Sequence, residues 1–129
     1  MNAASSSDTR PILIVDDHLE FRDPLAELLR AEGYPVETAR SGLEAMDKLR
    51  WGLRPRVILL DLQMRRMTGW EFRAEQNKDV ALAPIPVIAM TAGYWKAGDL
   101  GDFPVRITKP FKATVLRAGQ VIELTGTVP

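Results

Sequence analysis

Asp16 and Asp17 adjoin at the end of the apolar run Ile12-Leu13-Ile14-Val15, and Asp61 ends a second run, Val57-Ile58-Leu59-Leu60. Thr91 follows a third, Val87-Ile88-Ala89-Met90, and Lys109 follows Val105-Arg106-Ile107-Thr108. Three carboxylates gathered about 5 Å apart repel by roughly 3 kcal/mol per pair at an effective dielectric near 20. Such a cluster favours a cation. Mg²⁺ (or Mn²⁺) suits it, because Mg²⁺ takes oxygen ligands, keeps several waters and needs only one or two carboxylates beside phosphate oxygens. One of Asp16 and Asp17 then ligates the metal directly, while the other can act through water. Lys109 adds a compact positive charge and Thr91 a hydroxyl. Together with Asp61 as a carboxylate nucleophile, these are the parts of an in-line phosphoryl transfer. Each part alone has a plainer reading: a lone Asp caps a strand or helix, and a Lys-Pro pair is a solvated strand end. Their coincidence argues for a site.

The elements that must position them follow from the pattern of apolar residues. Runs of four large apolar residues read as strands buried on both faces, as in a parallel sheet flanked by helices. In open sheets of that kind ligands bind beyond the carboxyl ends of the strands, where these polar residues stand. Between the strands, Leu25, Leu28 and Leu29 have helical spacing closed by Gly33, with Asp23 as the expected N-cap, Pro24 at the first helical position and 18–22 as a looser lead-in. Val36 to Ala39 reads as a strand, and Leu43 to Trp51 as an amphipathic helix with Leu43, Met46, Leu49 and Trp51 facing in. A third helix is expected over Trp70 to Lys78 and a closing one over Phe111 to Leu124. The stretch from Ala92 to Pro104 carries three glycines and a proline and reads as loop with at most a turn or two of helix around Tyr94 to Ala97. Five strands alternating with helices imply a doubly wound α/β fold with a five-stranded parallel sheet.

Composition removes several alternatives. The chain holds 17 Lys plus Arg against 17 Asp plus Glu, so charge gives no case for nucleic acid or an acidic membrane. It has no cysteine and one histidine, which excludes disulfides and thiolate chemistry and argues against a multi-histidine zinc site. No apolar run nears the roughly 20 residues that span a bilayer. Residues 1–10 are small and polar, without a signal peptide's apolar core, and read as a flexible arm of a cytoplasmic protein. The domain is expected over 11–124 and a short tail over 125–129.

With these motifs in place, the chain resembles the receiver domain of two-component response regulators from about Pro11 to Leu124. The likeness is carried by Ile12 to Asp17, Val57 to Gly69, Val87 to Ala92 and Thr108-Lys109-Pro110-Phe111. It implies a flavodoxin-like sheet in the order 2-1-3-4-5. It also implies that the aspartate at Asp61 accepts a phosphoryl group from a sensor histidine kinase or a histidine phosphotransfer protein. Asp16, Asp17 and Asp61, with the backbone carbonyl of Gln63, then bind Mg²⁺, and Thr91 and Lys109 contact the phosphoryl group and act as the switch. Gln63 and Gly93 stand where the family tunes water access to the acyl phosphate.

Three departures bear on how such a switch works. Arg65 stands where the family usually has proline, and with Arg66 it either solvates the loop or helps an acidic partner dock. Arg106 stands where the family usually has an aromatic switch residue, so a latch to Asp99 or Asp102 is expected in place of a rotating ring. Thr91 and Lys109 are about one helical turn closer than usual, which predicts a short or degenerate fourth helix. The expected output is therefore a contact with a protein partner, without nucleic acid or membrane. Other readings are a receiver-like module that works without phosphorylation, and a receiver fragment of a larger regulator or hybrid kinase. A dehalogenase-type phosphatase fits worse, because it needs a second Asp where Gln63 stands. A mononucleotide binder needs a Gly-rich turn where Asp16-Asp17-His18 stands.

Overall fold

The structure is a computed structural model that describes residues 8–91, 101, 103, 106–108, 112–117 and 120–125. The strands and helices are β1 (Ile12–Val15), α1 (Leu19–Ala31), β2 (Val36–Ala39), α2 (Gly42–Arg50), β3 (Val57–Asp61), α3 (Gly69–Asn77), β4 (Val87–Thr91), β5 (Arg106–Thr108), β6 (Lys112–Arg117) and β7 (Gln120–Thr125). The main sheet is parallel, in the order β2-β1-β3-β4-β5. Among the described residues, the alternation of strand and helix runs through four strands and three helices. β5 is a three-residue stub.

Alternation along the strands explains why β1 and β3 are apolar throughout. Ile12 and Ile14, with Val57, Leu59, Ile88 and Met90, face α1 and pack on its Leu25, Ala26 and Leu29. Leu13 and Val15, with Ile58, Leu60 and Ala89, point the other way onto Ala45, Met46, Leu49 and Phe72 of α2 and α3. Both faces of the sheet are thus covered, and a strand with period two must be apolar at every position.

Several expectations need correction. α1 begins at Leu19 with His18 as N-cap, so Pro24 lies inside the helix and Asp23 is no cap. The apolar face decides this: Phe21 packs against the same cluster as Leu25 and Leu29, so the helix is held from its first turn. Pro24 is exposed, on the side where water can satisfy the carbonyl it leaves without a donor. Gly33 follows the C-cap with φ of 99°, a left-handed conformation that glycine adopts without a Cβ clash. In α2 the buried residues are Gly42, Ala45, Met46 and Leu49, whereas Leu43 is exposed and Trp51 is 91% exposed. The last turn ends before Trp51 can face the sheet.

The closing helix expected over 111–124 is not formed. Instead β6 and β7 make an antiparallel hairpin beside α1 and β5. The apolar residues there satisfy either period, and two features tip the balance. Thr114, Val115, Val121, Ile122 and Thr125 are β-branched, and an interior glycine would cost a helix about 1 kcal/mol. The expectations for 92–100, including the degenerate fourth helix and Gly93, lie outside the described residues, as do Asp102, Lys109 and 126–129.

At the N-terminal end, the described residues begin at Asp8. Asp8 and Arg10, placed in the arm by sequence, are tied to the domain by Arg56, whose guanidinium donates to the carbonyls of both.

Candidate functional site

The acids are assembled by strand register. β1 pairs with β3 so that Val15 lies opposite Leu60, which brings Asp16 and Asp17 beside Asp61 just past the strand ends. On the other side Asp61 lies opposite Met90, which puts Thr91 one step beyond it at the end of β4. Asp16, Asp61 and Thr91 are all buried. The ladder continues for one bond past β3, with Leu62 N–H donating to the Met90 carbonyl at 3.2 Å.

Backbone donors then fix the carboxylates. Asp16 Oδ1 accepts the His18 N–H at 2.9 Å, Asp61 Oδ1 accepts the Gln63 N–H at 3.2 Å, and Asp17 Oδ2 accepts the Arg65 N–H at 3.0 Å. The loop between β3 and α3 closes where Gly69 N–H donates to the Leu62 carbonyl at 3.1 Å. Thr68 and Glu71 form a reciprocal capping box there, which fixes where α3 starts. Gly69 is required by packing, since a Cβ at this position would lie 2.8 Å from Leu62 Cα and 3.0 Å from the Asp61 carbonyl oxygen.

One ligating atom from each of Asp16, Asp17, His18 and Asp61 lies within 4.8 Å of all the others. His18 Nδ1 is 3.0 Å from Asp17 Oδ1, 3.2 Å from Asp16 Oδ1 and 3.7 Å from Asp61 Oδ2. Asp17 Oδ1 is itself buried and makes no well-formed hydrogen bond. Beside the acids a groove of about 710 Å³ is lined by Asp17, Arg40, Ser41, Arg65 and Arg66. Arg66 holds φ of 70°, a left-handed conformation that costs a non-glycine residue about 1 kcal/mol or more.

The pattern of the response regulator receiver domain matches residues 12–118. The chain belongs to that family. Among curated relatives of this receiver domain, the polar-differentiation response regulator DivK of Brucella ovis is 38% identical over 106 residues, covering 79% of this chain and 85% of DivK. A CpxR-homologue transcriptional regulatory protein of Haemophilus influenzae is 40% identical over 81 residues, covering 63% of this chain but only 34% of that longer protein. Among solved structures, the N-terminal domain of a response regulator receiver protein from Methanoculleus marisnigri JR1 superposes with a TM-score of 0.72 at 32% identity, covering 80% of this chain and 86% of that one. The receiver domain is thus a signalling module of two-component systems, with the flavodoxin-like fold of its relatives. No helix among its described residues is long and apolar enough to cross a membrane.

Of the residues singled out by sequence, the receiver domain brings together Asp16, Asp17 and Asp61, with the Gln63 amide on Asp61. The Gln63 side chain points to solvent. Arg106 is exposed and donates to the Phe103 carbonyl at 3.2 Å, while Phe103 is buried with its ring edge-on to Trp70 at 6.2 Å. Phe103 is therefore part of the core, and the partners expected for Arg106, Asp99 and Asp102, lie outside the described residues.

Two contributors were missed. His18 was read as lead-in to a helix, although its position directly after two acids was the available signal. The Arg65 amide left no signal of its own, because it depends on the path of the loop.

Proposed function

We propose that the chain is a phosphoacceptor receiver domain whose Asp61 takes a phosphoryl group from a histidine kinase or a histidine phosphotransfer protein, with modification switching a protein–protein contact. The observation that carries this reading is the trio Asp16, Asp17 and Asp61, gathered with ligating oxygens inside 4.8 Å at the carboxyl edge of the sheet. This donor set suits Mg²⁺ or Mn²⁺: the ligands are hard oxygens, and a buried oxygen of Asp17 makes no well-formed hydrogen bond. A metal held there would supply positive charge to offset that of the transferring phosphoryl group. Asp16, Asp17, Asp61 and the Gln63 carbonyl are its proposed holders.

The chain's own residues supply the rest. The Gln63 amide on Oδ1 fixes the plane of the Asp61 carboxylate. One carboxylate oxygen attacks phosphorus as the bond to the donor nitrogen breaks, leaving an acyl phosphate on Asp61 and a neutral histidine on the donor. Thr91 is the proposed hydroxyl contact to the new phosphoryl oxygens and Lys109 the proposed charged one, with Gly93 the proposed tuner of water access. Arg40, Arg65 and Arg66 around the adjoining groove favour an acidic partner surface.

Incubation with acetyl phosphate and Mg²⁺, read by intact mass, should add one phosphoryl group. Asp61→Asn should abolish the addition, and Asp17→Asn should sharply weaken Mg²⁺ binding. Retention of the added mass in Asp61→Asn would overturn Asp61 as the acceptor.

A further inference from the structure

The imidazole of His18 lies at the mouth of the acidic site, about half exposed, with Nδ1 directed among the three carboxylates. In an octahedral shell with bonds of about 2.1 Å, neighbouring ligand atoms stand about 3.0 Å apart and opposite ones about 4.2 Å. The separations of 3.0, 3.2 and 3.7 Å from Nδ1 to Asp17, Asp16 and Asp61 fall in that range. Resting on the metal-dependent reading above, we propose that His18 is a nitrogen ligand of the same site and makes it selective for first-row transition ions over Mg²⁺.

The chemistry follows from donor type. Mg²⁺ is hard and gains little from imidazole, whereas Ni²⁺, Co²⁺ and Zn²⁺ bind nitrogen well, and affinity rises from Mn²⁺ to Cu²⁺ before falling at Zn²⁺. Three carboxylates alone hold any of these ions by charge. A nitrogen added to them separates the ions by kind. His18 caps α1 through its backbone, so its ring is carried on a fixed helix start rather than on a wandering loop. The Asp16 carboxylate that accepts the His18 N–H also fixes the Cα from which the ring projects.

The chain offers an unusually clean test, since His18 is its one histidine and it has no cysteine. Any imidazole nitrogen coupled to a bound ion in the untagged protein must therefore be His18. Pulsed electron paramagnetic resonance on the Mn²⁺-loaded protein should show ¹⁴N modulation of the imidazole type, absent in His18→Phe. Calorimetric titration should show Ni²⁺ binding weakened at least roughly tenfold in His18→Phe, with Mg²⁺ binding changed by less than about threefold. Asp17→Asn should weaken both. Because the ring is half exposed, His18→Phe should fold, and circular dichroism checks that it does. Mn²⁺ bound without nitrogen coupling, or Ni²⁺ affinity unchanged in His18→Phe, would overturn the role of His18 while leaving a metal-dependent receiver intact. A protein that binds neither Mg²⁺ nor Ni²⁺ would overturn both readings.

Discussion

Arg65 holds Asp17 in two ways that differ in strength. Its amide donates to Oδ2 at 3.0 Å, and its guanidinium, on a side chain 90% exposed, stands 3.7 Å from the same oxygen. The first contact is a hydrogen bond to a charged acceptor, typically about 1.5–3 kcal/mol. The second is an exposed ion pair, worth at most about 1 kcal/mol and screened by salt. A proline at this position, as receiver domains usually have, could make neither bond. If Asp17 holds a metal as proposed, the guanidinium would compete with it, whereas the amide would only orient the carboxylate. Arg65→Ala keeps the amide and removes the competitor, so Mg²⁺ affinity measured by calorimetry should rise at low salt, by about two- to threefold. The gain should vanish at high salt. Affinity unchanged at low salt would show that the guanidinium does not compete. Neither contact was legible in the sequence, because each depends on where the loop returns after β3.

At the scale of elements, legibility followed the number of physical cues that agreed. β1 and β3 were readable because burial on both faces leaves a continuous apolar run with one solution. The hairpin of β6 and β7 was not, since Val115, Leu116, Ala118, Val121 and Ile122 fit a helical stripe as well as a strand pair. The inward face of α2 was misjudged for a similar reason: Leu43 and Trp51 extend the apolar stripe but lie at the helix ends, beyond the sheet. The helix starts carry a sharper lesson. Gly42 and Gly69 each open a helix, α2 and α3, and look equivalent in sequence. A Cβ on Gly42 would meet the Met67 side chain, with Sδ at 2.7 Å, and a flexible thioether can swing aside. A Cβ on Gly69 would meet Leu62 Cα at 2.8 Å and the Asp61 carbonyl oxygen at 3.0 Å, and backbone cannot. Gly69→Ala should therefore lower stability in urea unfolding by about 1–3 kcal/mol, whereas Gly42→Ala should stay within about 1 kcal/mol. Because the displaced backbone belongs to Asp61, Gly69→Ala should also weaken Mg²⁺ binding. Equal costs at the two glycines would refute this distinction.

At the scale of the whole molecule, a buried arginine ties residues 8–10 to the sheet's surroundings. Arg56 is buried, with 2% of its surface exposed, and its guanidinium lies 5.4 Å from the centre of the Tyr34 ring. It donates to the Arg10 carbonyl at 3.1 Å and to the Asp8 carbonyl, and stands 3.7 Å from the Asp8 carboxylate. Asp8 in turn accepts from Arg10 Nε at 2.9 Å and Nη2 at 2.7 Å. The polar composition of 1–10 hid this, since the anchoring residue lies 46 positions from Arg10 in sequence. The Arg10 side-chain hydrogen bonds, chiefly, hold the Asp8 carboxyl well below its ordinary value of 3.8, partial burial opposes them, and the Arg10 amide and the Arg56 charge add to the lowering. The folded state thus prefers the ionised carboxylate more than the unfolded chain does. That stability is present above the ordinary carboxylate pKa and is lost as pH falls below it toward the lowered value. Asp8→Asn should accordingly melt at a lower temperature than the unmodified chain at neutral pH, by a modest margin because the pair is partly exposed. The two melting curves should converge as the pH is taken below about 4, where the unfolded carboxylate begins to protonate. A difference that persists unchanged into strong acid would mean that the asparagine disturbs this contact by something other than the lost charge. No difference at any pH would mean that the Asp8 carboxylate contributes nothing and that 8–10 are held through the backbone carbonyls on Arg56.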